Sequence, residues 1–237
     1  MLDFLELEET VGKAWHRLVG GAESYPSHPA HAVKLDDVRV KLGIIFRGLG
    51  GEHGVQLSGM SPRASHHRLS IRQYLGTSHE RLEQPGRDSA TLFLPHSIAV
   101  FPERELNENL YLWLAAYFAQ LPQGTAAEAD PLRADLLKLR RAHETVRKVL
   151  AEFPGLTTIH ARLCRALVDA RPKRRLPRLE AAVEQLVLSM LGVEGHAPEL
   201  WPAMTGQGAM PEAPMGYQTF LPVPLWGDAL SRAASPA

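Results

Sequence analysis

The sequence has one cysteine, Cys164, in 237 residues. A single thiol cannot form an internal disulfide, so the fold must rest on packing, and the chain suits a reducing compartment. Long apolar runs are missing too: no stretch approaches the roughly 20 residues that a membrane-spanning helix needs. The N-terminus, MLDFLELEETVGKAWHRLVG, is acidic where a secretory leader would be basic. Excess charge is also absent. Lys and Arg together number 26, as do Asp and Glu, so no global field draws the chain to nucleic acid or to an acidic membrane. These absences lead to the expectation of a soluble cytoplasmic protein. With 45% hydrophobic and 22% charged residues, the chain can bury an ordinary core in one large domain or two small ones.

Catalytic signatures are equally scarce. Eleven histidines invite a metal hypothesis, but His66 and His67 are adjacent and point apart on any regular element. There is no HExxH and no cysteine pair, and His28 and His31 have no acidic neighbour in sequence. His160 and Cys164 sit four apart on a predicted helix and could touch, yet a nucleophilic pair needs a cleft and an orienting third group. GLGGEHG follows a helix rather than a strand, which is the wrong context for a dinucleotide, and no GxSxG elbow occurs. The run RPKRRLPR, 171–178, carries five basic residues that could grip nucleic acid or an acidic protein surface. No aromatic is interleaved there for base stacking. The expectation is a chain with no catalytic site, no cofactor and no metal.

What is present is helical periodicity. Phe4, Leu7, Val11, Trp15 and Leu18 mark a first helix, and Leu35, Val38, Leu42, Ile45 and Leu49 a second, capped by Asp36 or Asp37 and stopped by Gly50-Gly51. VQLSG and ATLFLPHSIAVF are β-favouring, with Pro95 interrupting the latter, and predict a small sheet. A short helix fits 63–76, and 77–89 reads as loop. ELNENLYLWLAAYFAQL is apolar almost all round, the mark of a central buried helix. Asp130-Pro131 then opens a long helix with Leu132, Leu136, Leu139, Val146, Leu150 and Phe153 on its face. Two more helices follow, on Ile159, Leu163 and Leu167 and on Leu179, Val183, Leu186 and Met190. From residue 193 the chain loses its periodicity. The fold class is mainly α with a small β-sheet, a multi-helix domain closed by an irregular Pro-rich C-terminal wrap.

That wrap contains GYQTFLPVPLWGD, in which Pro222 and Pro224 rule out an interior helix or a central strand. An extended terminal segment bearing Phe220, Leu221, Val223, Leu225 and Trp226 must be tied to something, either its own domain or a partner. The chain divides into a helix-rich domain, 1–215, and a docking segment, 216–237, that ends in linker-like ALSRAASPA.

Three stretches taken together, FLELEETVGKAWHRLVG at 4–20, LFLPHSIAVFPERELNENLYLWLAAYFA at 92–119 and YQTFLPVPLWGD at 217–228, resemble the N-terminal region of the CbbO/NorD family. The resemblance implies a non-catalytic adaptor that docks on a hexameric, CbbQ-like MoxR-type AAA+ ATPase. CbbO proteins help to remodel inhibited Rubisco, and NorD proteins serve the maturation of nitric oxide reductase. The CbbO role, with Rubisco as client, is taken as the main reading and the NorD role as its alternative. Members also carry a C-terminal VWA domain with a DxSxS metal site, and that motif does not occur in this chain. The expected partner-binding residues are Tyr217, Phe220, Leu221, Val223, Leu225 and Trp226 of the tail, with Arg174 and Arg175 of the basic run. An uncharacterised enzyme built on His160 and Cys164 or on the histidine-rich loops, and a nucleic-acid binder acting through the basic loop 171–178, stand as the other readings.

Overall fold

The segment RELNENLYLWLAAYFAQ becomes the helix around which the rest packs, because almost every side of it is apolar. The computed structural model describes residues 25–60, 85–124, 128–195 and 198–230. In chain order these residues form a 3-10 turn (Pro29–His31), β1 (Val33–Lys34), α1 (Leu35–Gly48), β2 (Gln56–Met60), β3 (Gly86–Arg87), β4 (Thr91–Pro95) and β5 (Ser97–Ile98). They continue with α2 (Arg104–Gln120), α3 (Pro131–Glu152), α4 (Thr157–Ala170), α5 (Arg178–Met190), α6 (Trp201–Thr205) and β6 (Asp228–Ala229). The mixed α and β content is the expected class.

Helix α2 buries Leu106, Leu110, Tyr111, Trp113, Leu114, Tyr117 and Phe118, and packs against α1, α3 and α4. Its one buried polar side chain near the start, Asn107, is fully bonded. The Asn107 amide donates to the carbonyls of His31 and Phe101, and its oxygen accepts from the Phe101 amide. Three backbone groups on two segments are thereby satisfied without water, as a buried amide requires.

The strands make two small sheets. β1 pairs antiparallel with β5, with Val33 opposite Ile98. The other sheet runs β2-β4-β3-β6, with β2 parallel to β4, β3 antiparallel to β4, and β3 parallel to β6. Leu92 and Leu94 of β4 are buried, consistent with an inward-facing alternation. As expected, Pro95 is the last residue of its strand, and the chain leaves one sheet there and enters the other at Ser97.

Several boundaries differ from the sequence reading. Helix α1 begins one residue earlier, at Leu35, and neither Asp36 nor Asp37 caps it: both sit in the first turn, where a negative charge suits the positive end of the helix. Residues 86–87, read as loop, are strand β3. The Asp88 carboxylate accepts the amides of Ala90 and Thr91 and turns the chain back into β4. The aperiodic stretch after 193 holds the short helix α6 and strand β6. Asp130 does cap α3 as expected, accepting from the Arg133 amide. The first helix read over 4–20 and the short helix in 63–76 lie outside the described residues.

Candidate functional site

Residues 213–230 cross α2, α3 and α5 and end in the sheet, and each step of that path is held by a named group. Asp130 uses its second oxygen on the amide of Ala213 at 2.9 Å, and these two amide contacts hold its carboxyl below the usual carboxylate range. Further along α3, Asp135 accepts from the Tyr217 hydroxyl at 2.8 Å and the Phe220 amide at 3.2 Å. Asp135 is only 2% exposed, and burial pushes its pKa up to about 6 against the downward pull of those two donors. Glu180 of α5 receives the Gln218 amide.

Arg171, just after α4, is the centre of the next contact. Its guanidinium forks onto Glu184 of α5, with Nη2 at 2.8 Å from Oε2, and also donates to the Leu221 carbonyl at 2.9 Å and to the Tyr25 hydroxyl. One buried cation thus joins the start of the described chain, α5 and the tail, with the planar geometry that only arginine supplies. Beyond it, the Trp113 indole donates to the Leu225 carbonyl, and the Tyr117 hydroxyl to the Gly227 carbonyl. The Asp228 amide bonds to Pro85 and the Leu230 amide to Arg87, so β6 closes the sheet edge. Gly227 lies so close to its neighbours that a Cβ there would come within 2.4 Å of the Pro85 carbonyl oxygen.

The residues singled out in the sequence therefore fall into two groups. Leu221, Val223, Leu225 and Trp226 are buried in the chain's own core. Tyr217 and Phe220 are half-buried at the outer edge of the tail, where they meet Arg174 around a small cleft that Glu180, Glu184 and Thr219 also line. The cleft offers about 10 Å³, the room of a single water molecule. Arg175 is exposed beside it. Of the basic run, Arg171 is buried and Arg178 pairs with Glu199, while Lys173, Arg174 and Arg175 form no ion pair among the described residues.

His160 and Cys164 do touch, with Sγ 3.5 Å from Nε2. Burial pushes the thiol up to about 12 and the imidazole down to about 4, so both are neutral. A thiolate–imidazolium couple needs the opposite shifts. His160 instead packs against Trp113 with the rings tilted by 41° and their centroids 4.3 Å apart. Among the described residues no three His, Cys, Asp or Glu side chains gather where a metal could bind, and no helix is long and apolar enough to cross a membrane. His28 and His31 are exposed or half-buried on the loop before α1, and His66 and His67 lie outside the described residues.

Sequence reasoning missed Asp135 and Arg171. A carboxylate in mid-helix and the first arginine of a charged run both read as solvated, and only the tail passing over them gives them partners. One signal was available for Asp135: it lies three residues after Leu132 and beside Leu136, on the apolar face of α3.

No family model and no solved structure matches this chain. Protein NorD of Brucella abortus is 47% identical over 238 residues, a match covering 98% of this chain and 36% of that protein. Protein NorD of Brucella suis matches over the same extent. Protein NorD of Stutzerimonas stutzeri is 33% identical over 196 residues, 82% of this chain and 30% of its own length. The chain thus spans about a third of the length of these curated relatives. With close to half its residues identical across nearly its whole length, the chain is similar to a region that makes up about a third of the proteins named NorD.

Proposed function

We infer that this chain is the N-terminal module of a NorD-type accessory protein, acting without a cofactor as a docking element beside a MoxR-type AAA+ ATPase in the cytoplasm, with nitric oxide reductase as the client whose maturation it serves. The observation that carries the reading is the 47% identity to proteins named NorD across 98% of the chain. Those names favour the nitric oxide reductase client over Rubisco, the reverse of the order in which the sequence alone placed the two.

The physical features agree with a docking role. A catalytic module needs a pocket in which acids, bases or a metal converge; two clefts among the described residues, one beside Arg87 and one beside Arg174, each hold about one water. A docking module needs a fixed surface. The loop 172–177 provides one: Lys173 and Arg175 are exposed and Arg174 half-buried, none with an ion pair among the described residues, on a segment anchored by Arg171 on one side and by α5 on the other, next to Tyr217 and Phe220. Lys173, Arg174 and Arg175, bordered by two aromatics, suit an acidic partner surface, since arginine and aromatic residues anchor interfaces.

Size-exclusion co-elution with the hexameric ATPase, with and without nucleotide, tests this. The chain is expected to shift into the ring fraction and to lose the shift as Arg174→Glu/Arg175→Glu. A folded chain that never shifts would remove ring docking from this module. The client is tested separately: cells whose NorD lacks residues 1–237 are expected to lose nitric oxide reductase activity while still synthesising the reductase polypeptides.

A further inference from the structure

Helix α1 carries apolar side chains on two sides, and its neighbours among the described residues cover one of them. Leu35, Leu42 and Phe46 are buried, with Val38, Ile45 and Leu49 packed beside them, against α2 and β2. On the outer side Val40 is 79% and Ile44 66% exposed. Being four apart, they adjoin on one face. Gly48 continues the row without a side chain, and nothing lies within 4 Å of the Cβ it lacks. A helix with apolar residues on both faces is normally covered on both.

The charges around this row indicate what fits on it. Asp36 stands at one end and Arg47 at the other, both exposed. They are three turns apart, so they share one edge of the row. The Arg47 guanidinium lies along the helix there, with Nη1 3.6 Å from the point that a Cβ of Gly43 would occupy. Arg47 has no ion pair among the described residues, and Asp36 has a solvent-facing one with Arg39. A pair of that kind is weak and leaves the carboxylate able to take a second cation.

Read along its outer face, α1 therefore runs acid, apolar, apolar, base, and that order is its own complement when reversed. A two-fold axis crossing the helix midway between Val40 and Ile44 sets Val40 of one copy on Ile44 of the other. It keeps each edge of the row on its own side, so Asp36 of one copy meets Arg47 of the other, twice over. The missing side chain of Gly48 clears room at both ends. A partner of one charge sign would satisfy only one end. We propose that this face of α1 pairs two copies of the chain, antiparallel and isologous. Two such rows bury far less than the roughly 1,200–2,000 Å² of a stable interface, so the pair is reversible and forms at high concentration.

Sedimentation of the full chain over a wide concentration series tests this. The native chain is expected to move from monomer toward dimer as its concentration rises, and Ile44→Asp to remain a monomer. Met215→Asp, at another exposed apolar site, should associate as the native chain does. Asp36→Arg and Arg47→Asp each set like charges against each other at both ends, and each alone should weaken association about a hundredfold. Their equimolar mixture should regain it, because opposite charges meet again at both ends of the mixed pair. A native chain that stays monomeric throughout would leave the face to another segment or another protein and overturn the proposal. Association of Ile44→Asp equal to that of the native chain would place the contact elsewhere, and a mixture that stays monomeric would exclude the antiparallel register. Either result overturns it.

Discussion

The indole nitrogen of Trp113, midway along α2, donates to the carbonyl oxygen of Leu225 at 2.9 Å, across 112 residues of chain. The Pro-rich tail is therefore bonded to the central helix and not merely laid on it. Pro222 and Pro224 give up donors, and the carbonyls that remain find partners in Trp113, Tyr117 and Arg171. Trp113→Ala should cost about 3–5 kcal/mol, because it removes a fully buried ring and leaves the Leu225 carbonyl unpaired. Trp113→Phe keeps most of the volume and should cost on the order of 1–2 kcal/mol. Urea unfolding of the two variants checks the ranking. A cost near zero in Trp113→Phe would mean that the hydrogen bond contributes nothing, and equal costs that the packing of the ring does not.

Arg171 gives a second prediction. Arg171→Met removes the charge and strands Glu184 and the Leu221 carbonyl, a loss of about 3–5 kcal/mol. The double variant Arg171→Met/Glu184→Gln should recover part of this loss, because the unmatched charge is gone. Arg171→Lys should not rescue fully, since one ammonium cannot serve the Glu184 fork, Tyr25 and Leu221 together. A thermodynamic cycle over Arg171 and Glu184 showing no coupling would refute the clamp.

The buried Asp135 makes stability depend on pH in a direction opposite to that of most carboxylates. Its folded pKa, raised to about 6 by desolvation, lies above the ordinary value of 3.8, so the folded chain holds the proton more tightly than the unfolded one. Its contribution is greatest below about pH 4 and declines as pH rises through about 6. Asp135→Asn keeps an acceptor for Tyr217 and Phe220 and does not ionise. It should therefore gain on the native protein by on the order of 2 kcal/mol above pH 6, with the gap closing toward pH 4. A pH-independent difference between the two proteins would show that burial does not raise the pKa of Asp135.

His160 contributes the reverse slope. Burial lowers its folded pKa to about 4, against 6.5 when unfolded, so the unfolded chain takes up the proton first. The stability it confers is complete above about pH 6.5 and is lost as pH falls toward 4. His160→Phe, which keeps a ring against Trp113, should lose less stability than the native chain between pH 6.5 and pH 5. The same burial makes Cys164 a poor nucleophile, and at pH 8 iodoacetamide should label it only at the rate at which the chain opens. Rapid native-state labelling would revive the catalytic reading of this pair.

How much of this was legible follows from where the determining contacts lie. Helices α2 and α3 were plain, because an all-round apolar run and an Asp-Pro cap are local signals. Short helix α6 left a local trace as well, with Pro202 in its first turn and Gly206 left-handed at φ 83° just past its end, but five residues are too few for periodicity. Strand β3 left none. Gly86 and Arg87 have no β preference, and they are a strand only because β4 lies on one side and the tail on the other. The tail's prolines indicated that it is extended and must be tied down. Its partners, Asp135 and Arg171, sit 82 and 50 residues from the groups they hold, and no spacing rule reaches so far. For the same reason the eight residues picked as a partner surface included four, Leu221, Val223, Leu225 and Trp226, that face the chain's own core. Composition shows that a segment is sticky, not which surface it sticks to.

The closest backbone approach in the tail supplies the last prediction. Gly227 passes between the Phe118 ring and the Pro85 carbonyl, and a Cβ there would come within 2.2 Å of the ring and 2.4 Å of that oxygen. The ring could swing aside, but the oxygen belongs to backbone that receives the Asp228 amide as β6 joins the sheet. Gly227→Ala must therefore push β6 off β3, at a cost of about 1–3 kcal/mol for overpacking. Gly54→Ala is the control, since nothing lies within 4 Å of its added carbon. Hydrogen exchange at Asp228 and Leu230 should accelerate in Gly227→Ala and stay slow in Gly54→Ala. If exchange there were equally slow in both, the tail would be held by Trp113 and Arg171 alone, and the sheet edge would be an incidental contact.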